Sequence, residues 1–412
     1  MWKTIAGIFL GFVLLAMIYT YQAKQNQVLP YDEYIKQFDK FDRLRTVMST
    51  SEYLDSSENK TMQKYEQLFV NFYALGCRLT GYLGPMVRGY FDADKAVRYS
   101  LNAGCRVFVL DIDYLDDCYG ESLGYFPRIV VRDVHRRFMI GSEKHHCNSP
   151  EHSNIKDVCD AIQKYAFTNT TDPIVLVLYF LRTPTNSKKA LKYYSHVARS
   201  LAPLQDRMYH YELEGGTFTR QAQESRLLRN KITDYQNKAL IFSNADTSGF
   251  RGAGYDTTED LDYMINLRLY YTQTQLGITT NKPGSNTGTM FGILEPAEDY
   301  LIIPEDRTDE IIENTKLRWT ICLPQNPSVP VTKEVYKKIT ETYGVNCIPM
   351  TLFDPANEFM FGESPLFKQT SYTPKPDYLR YINPVTLTVS PPTNETNSNK
   401  GLVIQPKVNI SL

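Results

Sequence analysis

Four aspartates follow an apolar segment in the first third of the chain. The run Val107–Leu110 is apolar, and Asp111, Asp113, Asp116 and Asp117 come shortly after it. Side chains alternate along a strand, so Asp111 and Asp113 should share one side of it. Carboxylate oxygens are the donors that a hard cation such as Ca2+ prefers. The pattern predicts either a metal site on Asp111 and Asp113 or a solvated acidic loop.

A second polar group follows the short run Arg128–Val131. Arg132 follows it directly, and His135 comes three residues later. An arginine can stabilise the negative charge of a reacting group, and a histidine can transfer a proton near neutral pH. These two residues are candidates for a catalytic acid–base group, and a surface turn held by salt bridges is the alternative. The histidines between His145 and His152 match no standard zinc spacing and favour a polar loop.

The surrounding pattern indicates the elements that must hold these side chains. Strand-like apolar runs recur along the chain, and amphipathic helical runs lie between several of them. The strand-like runs are Phe69–Leu75, Val107–Leu110, Arg128–Val131, Ile174–Phe180, Ala239–Phe242, Leu317–Leu323 and Ile348–Phe353. The helical runs are Ile155–Ala166, Ala190–Leu204 and Lys333–Tyr343. This alternation predicts an α/β fold with a mainly parallel sheet, and a span of about 310 residues suits a closed (β/α)8 barrel.

The N-terminal segment has a different character. Ile5–Tyr21 is apolar without interruption, with Lys3 before it and Lys24 after it. A run of this length lies at the lower limit for a membrane span. We predict a retained single-pass membrane anchor within residues 1–24. A cleaved signal peptide and a buried core helix are the alternatives.

The composition excludes some classes of protein. The net charge is −1, so a nucleic-acid-binding surface is not predicted. The seven cysteines are scattered without a CxxC pair, which indicates neither a disulfide framework nor a structural zinc site.

Several collinear segments match the motifs of one enzyme family. Ala103–Arg106 followed by Val109–Asp111 is similar to G-C-R-x-x-E-L-D, and Ile155–Phe167 is similar to I-x-F-x-D-V-I-x-A-I-x-K-Y-A-F. Further matching segments are Leu79–Gly81, Lys238–Asn244, Cys322–Pro324, Gly344–Phe353 and Tyr372–Arg380. Together they resemble the X–Y catalytic barrel of phosphoinositide-specific phospholipase C. The resemblance implies a phospholipase-C-like (β/α)8 TIM barrel.

With this resemblance the chain divides into four expected parts. Residues 1–24 form the anchor, and residues 25–65 form a polar stalk with one amphipathic helix at Tyr31–Met48. Residues 66–382 form the barrel, with an X-like half at 66–250 and a Y-like half at 290–382. Residues 383–412 form a tail rich in Pro, Asn and Thr, a composition that disfavours a packed core.

The resemblance also places most of the family's catalytic positions on other residue types. In the family, Ca2+ and two histidines drive the attack of an inositol hydroxyl on phosphorus. The first histidine falls on Leu75, and the second falls near Val131 or Arg132. A calcium-binding Asn, two Glu and two phosphate-binding Lys fall on Gly76, Val109, Tyr179, Phe242 and Asn244. The Asp of E-L-D is kept as Asp111, so the resemblance implies a barrel whose catalytic residues have been replaced.

The expected function follows from the anchor and the replaced positions. We expect a membrane-anchored, catalytically inactive phospholipase-C-like barrel with a structural or binding role at a membrane surface. Its expected partners are a membrane lipid or phosphoinositide headgroup, or another protein. The abundance of Asn and Tyr and the short anchor resemble proteins of large DNA viruses, which suggests a single-pass protein of a virion membrane.

Two alternatives stay open at this point. The first is an active phosphoric diester hydrolase that cleaves phosphatidylinositol, with a rebuilt site at Asp111, Asp113, Arg132 and His135. The second is a headgroup-binding module that keeps the pocket without turnover. No cofactor is expected for the inactive barrel, and Ca2+ is expected for the active one. A barrel mouth filled by Leu75, Val109, Tyr179 and Phe242 would favour the structural protein.

Overall fold

The fold was analysed in a computed structural model. It describes residues 7, 9–22, 48–56, 62–84, 90–114, 126–131, 152–210, 220–251, 260–271, 290–324, 331–352 and 366–383. The strands are β1 (Phe72–Ala74), β2 (Gly76–Cys77), β3 (Tyr82–Leu83), β4 (Tyr90–Phe91), β5 (Val107–Tyr114), β6 (Pro127–Val130), β7 (His152–Ser153), β8 (Ile174–Phe180), β9 (Ala239–Ser243), β10 (Leu267–Tyr271), β11 (Gly292–Pro296), β12 (Trp319–Leu323) and β13 (Tyr372–Pro374). The α-helices outside residues 7–22 are α1 (Thr50–Asp55), α2 (Ala93–Asn102), α3 (Ile155–Tyr165), α4 (Ser187–Ser200), α5 (Arg220–Arg229), α6 (Leu261–Met264), α7 (Thr308–Leu317) and α8 (Lys333–Lys337).

A ring of parallel strands forms the centre of the molecule. Strands β2, β5, β8, β9, β10, β11 and β12 are neighbours in that order, and each pair is parallel. The segment Cys347–Met350, called the closing segment, completes the ring. It forms parallel bridges with Ile321 of β12 and with Cys77 of β2. The predicted α/β barrel is therefore confirmed.

Two predicted strands lie outside this ring. Strand β6 pairs antiparallel with the end of β5, and β7 pairs antiparallel with β6, so these strands extend the sheet beyond the barrel. The predicted run Phe69–Leu75 contains β1, which pairs antiparallel with β13 across 300 residues of sequence. The barrel strand that follows it, β2, is only two residues long.

Sequence patterns did not predict β10 and β11. Arg268 interrupts the apolar run of β10, and Gly292 opens β11. The glycine is required by close packing, because a Cβ atom at Gly292 would lie 2.5 Å from the carbonyl oxygen of Arg268. Strands β10 and β11 therefore approach closely at Arg268 and Gly292. A polar residue and a glycine both weaken the apolar pattern from which a strand is predicted.

Two apolar layers fill the barrel and surround it. Inside the ring, inward-facing residues of alternating strand positions pack around Phe69, Phe242 and Trp319. The rings of Phe242 and Trp319 meet edge to face at 4.9 Å. Outside the ring, the intervening positions pack against the helices, as Phe108 and Leu176 do. Both faces of each strand are thus buried, as expected for a parallel sheet covered by helices.

Helix α3 illustrates how the outer layer forms. Ile155, Val158, Cys159 and Ile162 are fully or almost fully buried and recur at the spacing of one helix face. The opposite face is exposed and carries Lys156, whose amine pairs with a carboxylate one turn later at 2.7 Å. Packing of the apolar face on the sheet therefore fixes this helix.

The N-terminal region is described only in part. Residues 9–22 are helical and their apolar side chains are exposed. Among the described residues, no helix is both long and apolar enough to cross a bilayer. The anchor in residues 1–24 therefore stays a prediction, and most of the stalk lies outside the described residues. Residues 48–56 contact the barrel, where the backbone N–H of Thr50 donates to Asp172 at 2.7 Å.

Candidate functional site

The barrel mouth is the region at the carboxyl ends of the parallel strands, where chemistry is usually located in barrels of this type. Its described members come from the ends of β2, β5, β8, β9 and β12. They include Arg78, Asp111, Asp113, Tyr179, Asn244 and Pro324. The prediction that Asp111 and Asp113 lie together at the end of one strand is consistent with β5, which extends to Tyr114.

Asp111 is held by an arginine from the neighbouring strand. Nε of Arg78 lies 3.2 Å from both carboxylate oxygens of Asp111, and Nη2 lies 3.0 Å from one of them. Both side chains are buried, with 5% of Arg78 and none of Asp111 exposed. The remaining nitrogen, Nη1, donates to the carbonyl oxygen of Pro324 at 2.6 Å. The Arg78 guanidinium thus connects three strand ends and uses all its nitrogens.

Asp113 has an arginine partner of its own. Nε of Arg182 donates to the Asp113 carboxylate at 2.8 Å, and Nη2 donates to the backbone carbonyl of Tyr114 at 2.9 Å. The Arg182 guanidinium also lies over the ring of Tyr114, 4.6 Å from its centroid. Arg182 is 25% exposed, whereas Asp113 is 1% exposed. This second ion pair is therefore the more accessible of the two.

The floor of the mouth is hydrocarbon. Val109 and Phe242, which fall on a Glu and a Lys of the resembled family, are completely buried in the barrel interior. Gly76, at the position of the calcium-binding Asn, leaves no room for a side chain, since a Cβ atom would lie 2.6 Å from Sγ of Cys347. Leu75 is buried in the outer layer instead. Leu75 was one of four residues expected to fill the mouth, but its side chain faces out of the barrel and packs in the outer layer.

Two polar positions at the mouth have structural partners. Tyr179 packs against the interior cluster, and its ring lies 5.6 Å from the guanidinium carbon of Arg78. The side-chain amide of Asn244 accepts from the backbone N–H of Phe180 at 2.7 Å and donates to the carbonyl oxygen of the same residue at 3.1 Å. Asn244 thus joins the ends of β8 and β9 where the family places a phosphate-binding lysine.

The described donor set does not suit calcium. Ca2+ takes six to eight oxygen ligands, and here the two carboxylates that could supply them are each bound to an arginine. Among the described residues, no group of three or more His, Cys, Asp or Glu side chains could hold a metal ion. A metal site on Asp111 and Asp113 stays a prediction.

The other predicted catalytic residues cannot be placed. Arg132 and His135 lie outside the described residues, as do Asp116 and Asp117. The described chain stops at Val131, which is buried against Leu79 and Tyr82, and resumes at His152 in β7. The proposed acid–base group at Arg132 and His135 therefore stays a prediction.

Cys77 points away from the mouth. Its thiol is buried in the outer layer, and Sγ lies 3.7 Å from the hydroxyl of Thr80. Burial disfavours the thiolate, but hydrogen bonds with Cys105, Thr80 and Ser100 outweigh it and lower the pKa of Cys77. A thiol in this position cannot reach a substrate at the mouth.

A separate cavity of about 620 Å³ lies beside the barrel. It is lined by polar residues of α3 and of the β6–β7 extension, including Arg128, His152, Asp157 and Lys164. Lys164 already donates to Asp94 at 3.0 Å. None of the described mouth residues lines this cavity, so it does not form part of the same site.

Sequence reasoning missed Arg78 and Arg182. Arg78 stands directly before the Leu79–Gly81 segment, and Arg182 follows the apolar run of β8. A charged residue directly after a buried strand is a signal for the mouth of a barrel. A search for this signal after every predicted strand would have found both arginines as candidate partners of the aspartates.

Comparisons with known proteins agree with the fold. No protein-family model and no curated protein sequence matches the chain. Among solved structures, PLC21 from L. pealei is similar with a TM-score of 0.50 and 15% identity, covering 81% of this chain and 41% of that chain. The calcium-dependent phosphoinositol-specific phospholipase C from a Pseudomonas species gives a TM-score of 0.44 and 13% identity, covering 75% of this chain and 96% of that one. The Ca2+-dependent phosphatidylinositol-specific phospholipase C from Streptomyces antibioticus gives 0.45 and 12%, covering 75% and 99%.

These similarities concern the fold. The chain spans about two fifths of the length of the L. pealei protein that it matches, at low sequence identity. The closed ring of parallel strands and the similarity to that protein together identify the chain as an α/β barrel with a phospholipase-C-like fold.

Proposed function

We propose that this chain is a non-catalytic phospholipase-C-like barrel with a binding or structural role, held at a membrane surface by its N-terminal segment. One observation carries the proposal. Both carboxylates of the described mouth are bound to arginines, and the floor beneath them is hydrocarbon. A membrane lipid headgroup or a second protein is the proposed partner, and a virion membrane is the proposed location.

The chemistry of phosphodiester cleavage supports this proposal. Cleavage needs a positioned acid or base and a positive charge that is free to stabilise the charged phosphorus centre. The charge of Arg78 is already matched by Asp111, and its nitrogens are all hydrogen-bonded. Val109 and Phe242 offer no donor at all. An active enzyme would have to draw its acid and base from Arg132, His135 or other residues that the structure does not describe.

The exposed N-terminal helix supports attachment to a membrane. Phe9, Phe12 and Leu15 are each at least 65% exposed, and the apolar surface continues to Tyr21. A continuous apolar surface on a helix normally contacts lipid or another protein. The resident partner proposed for this surface is the lipid bilayer, in accordance with the apolar run Ile5–Tyr21.

Hydrolysis is the decisive test of the proposal. The full chain is reconstituted in phosphatidylinositol-containing vesicles, and the release of inositol phosphate is measured with Ca2+ and with a chelator. We expect no release above that of protein-free vesicles. Release that disappears in Asp111→Asn or His135→Ala would instead establish a hydrolase with a rebuilt site.

Two further measurements separate binding from a purely structural role. Binding of soluble inositol phosphates to the detergent-solubilised chain identifies a headgroup-binding barrel, and its absence leaves a structural role. Flotation of the chain with plain phosphatidylcholine vesicles, followed by alkaline extraction, tests the anchor. A chain that is released by alkaline extraction contradicts the proposed membrane span.

A further inference from the structure

We infer that Arg78 is a built-in replacement for a divalent cation at the barrel mouth. Its guanidinium supplies the positive charge that the buried carboxylate of Asp111 requires, so the barrel holds its mouth together without metal. Removal of Arg78 should therefore leave a site at which a divalent cation binds and stabilises the fold. This goes beyond the proposed function, because it concerns the folded barrel in the absence of lipid.

The geometry of Asp111 requires a cation. Its side chain has no exposed surface, and a buried carboxylate without a partner charge is strongly destabilising. Arg78 contacts both carboxylate oxygens, at 3.0 to 3.2 Å. Both oxygens that a metal would use are therefore bound to one guanidinium.

The backbone of β2 directs Arg78 to this position. Gly76 and Arg78 are two residues apart, and a Cβ atom at Gly76 would contact Val107, a residue of the barrel interior. Arg78 therefore starts on the inward side as the strand ends. Its backbone N–H donates to the carbonyl oxygen of Met350 at 3.0 Å, which holds it to the closing segment. A long side chain from this point spans the gap to Asp111 on β5.

The groups around Arg78 are suitable ligands for a hard cation once the guanidinium is gone. The carboxylate of Asp111 and the carbonyl oxygen of Pro324 both lose their donor. Asp113 keeps its ion pair with Arg182, so it is not counted among these ligands. The Asp111 carboxylate, the Pro324 carbonyl and water are oxygen donors of the kind that Ca2+ binds.

The test measures thermal unfolding of the detergent-solubilised full chain under two conditions. One sample contains a chelator, and the other contains millimolar Ca2+. We expect the unfolding temperature of the wild type to be the same in both conditions. Arg78→Ala should unfold about 10 °C lower in chelator, as expected for an unpaired buried carboxylate. Ca2+ should restore at least half of that loss, and it should restore nothing in Arg78→Ala/Asp111→Asn.

A matched control uses an ion pair of similar length elsewhere. The charged groups of Lys156 and Asp160 in α3 are 2.7 Å apart. Unlike Arg78 and Asp111, these side chains are 60% and 49% exposed. Lys156→Ala should leave the unfolding temperature unchanged and insensitive to Ca2+, because exposed pairs contribute little. Loss of stability in Arg78→Ala but not in Lys156→Ala assigns the effect to burial.

Direct binding provides a second readout. Terbium luminescence sensitised by nearby tyrosines should appear with Arg78→Ala or Arg78→Gln and be absent from the wild type. If Arg78→Ala fails to fold, Arg78→Gln carries the test. Ca2+-dependent stabilisation of the wild type that Asp111→Asn removes would overturn the inference. A folded Arg78 variant that binds neither Ca2+ nor terbium would also overturn it. Lipid hydrolysis enters none of these measurements, so failure of the proposed function is recognised separately.

Discussion

Replacement of Lys375 by methionine is expected to stabilise the folded barrel, most strongly at acidic pH. Lys375 follows β13, and its side chain is completely buried. Nζ donates one hydrogen bond, of 3.2 Å, to the carbonyl oxygen of Thr315 near the end of α7. Burial disfavours the charged amine and lowers the pKa of Lys375 from 10.5 to about 7. Folding therefore has an unfavourable free-energy cost whenever the amine of Lys375 is protonated in the unfolded chain.

The sign and size of the effect follow from this pKa. Because the folded pKa lies below the unfolded one, the unfolded chain binds more protons between about pH 7 and 10.5, and the free energy of unfolding rises with pH in that window. Below about pH 7 the full cost is present. At about 1.4 kcal/mol per pKa unit it is about 5 kcal/mol. Methionine removes this cost and loses one hydrogen bond worth about 1 kcal/mol.

Urea unfolding of the full chain in detergent, read by fluorescence of the buried Trp319, measures the difference between variant and wild type. Lys375→Met should be more stable by about 3–4 kcal/mol at pH 6, and this gain should shrink by about 4 kcal/mol at pH 10. The exposed Lys368 provides the control, since Lys368→Met should change little at either pH. A gain for Lys375→Met that is equal at pH 6 and pH 10 would refute the reasoning.

Two other substitutions test the packing of the barrel. Gly292→Ala places a Cβ atom 2.5 Å from a backbone oxygen of β10. We expect a loss of about 2 kcal/mol or more in the free energy of unfolding, which lowers the melting temperature of a large domain by about 5 °C or more. Gly249→Ala meets nothing within 4 Å and serves as its control, so equal melting temperatures would contradict the close approach of β10 and β11. Asn346→Leu removes three buried hydrogen bonds to backbone groups and should cost about 3 kcal/mol in urea unfolding. A cost below about 1 kcal/mol would contradict a role for Asn346 in closing the ring.

The sequence predicted the barrel where strands are continuous apolar runs. The predicted run Ile174–Phe180 coincides with β8, and the predicted helix at Ile155 begins where α3 begins. The run Arg128–Val131 also forms a strand, but it extends the sheet instead of joining the ring. A run of apolar residues predicts that a segment forms a strand. Whether that strand joins the ring depends on pairing partners that are far away in the sequence.

The site was less predictable for the same reason. Asp111 and Asp113 both lie near the end of β5, where the alternation of side chains predicts that they share one side of the strand, and that rule is local. Their partners are 33 and 69 residues away, at Arg78 and Arg182. Leu75 was expected to fill the mouth and instead lies in the outer layer. A single-residue change of register along β1 and β2 reverses which side chains face inward, and sequence alone does not fix that register.

The pairing of β1 with β13 has a consequence for the biosynthesis of the protein. Phe72 lies opposite Pro374, and Asn346 hydrogen-bonds to the carbonyl oxygens of Val70 and Phe72. These contacts cannot form until Asn346 and Pro374 have left the ribosome, about 300 residues after Phe72. An N-terminal segment that enters a membrane would do so long before that point, while the barrel is still an open sheet with unpaired edges. Closure of such distant contacts is slow. Until those contacts form, the first strand of the nascent chain is unpaired, and protection of that edge becomes a requirement of synthesis.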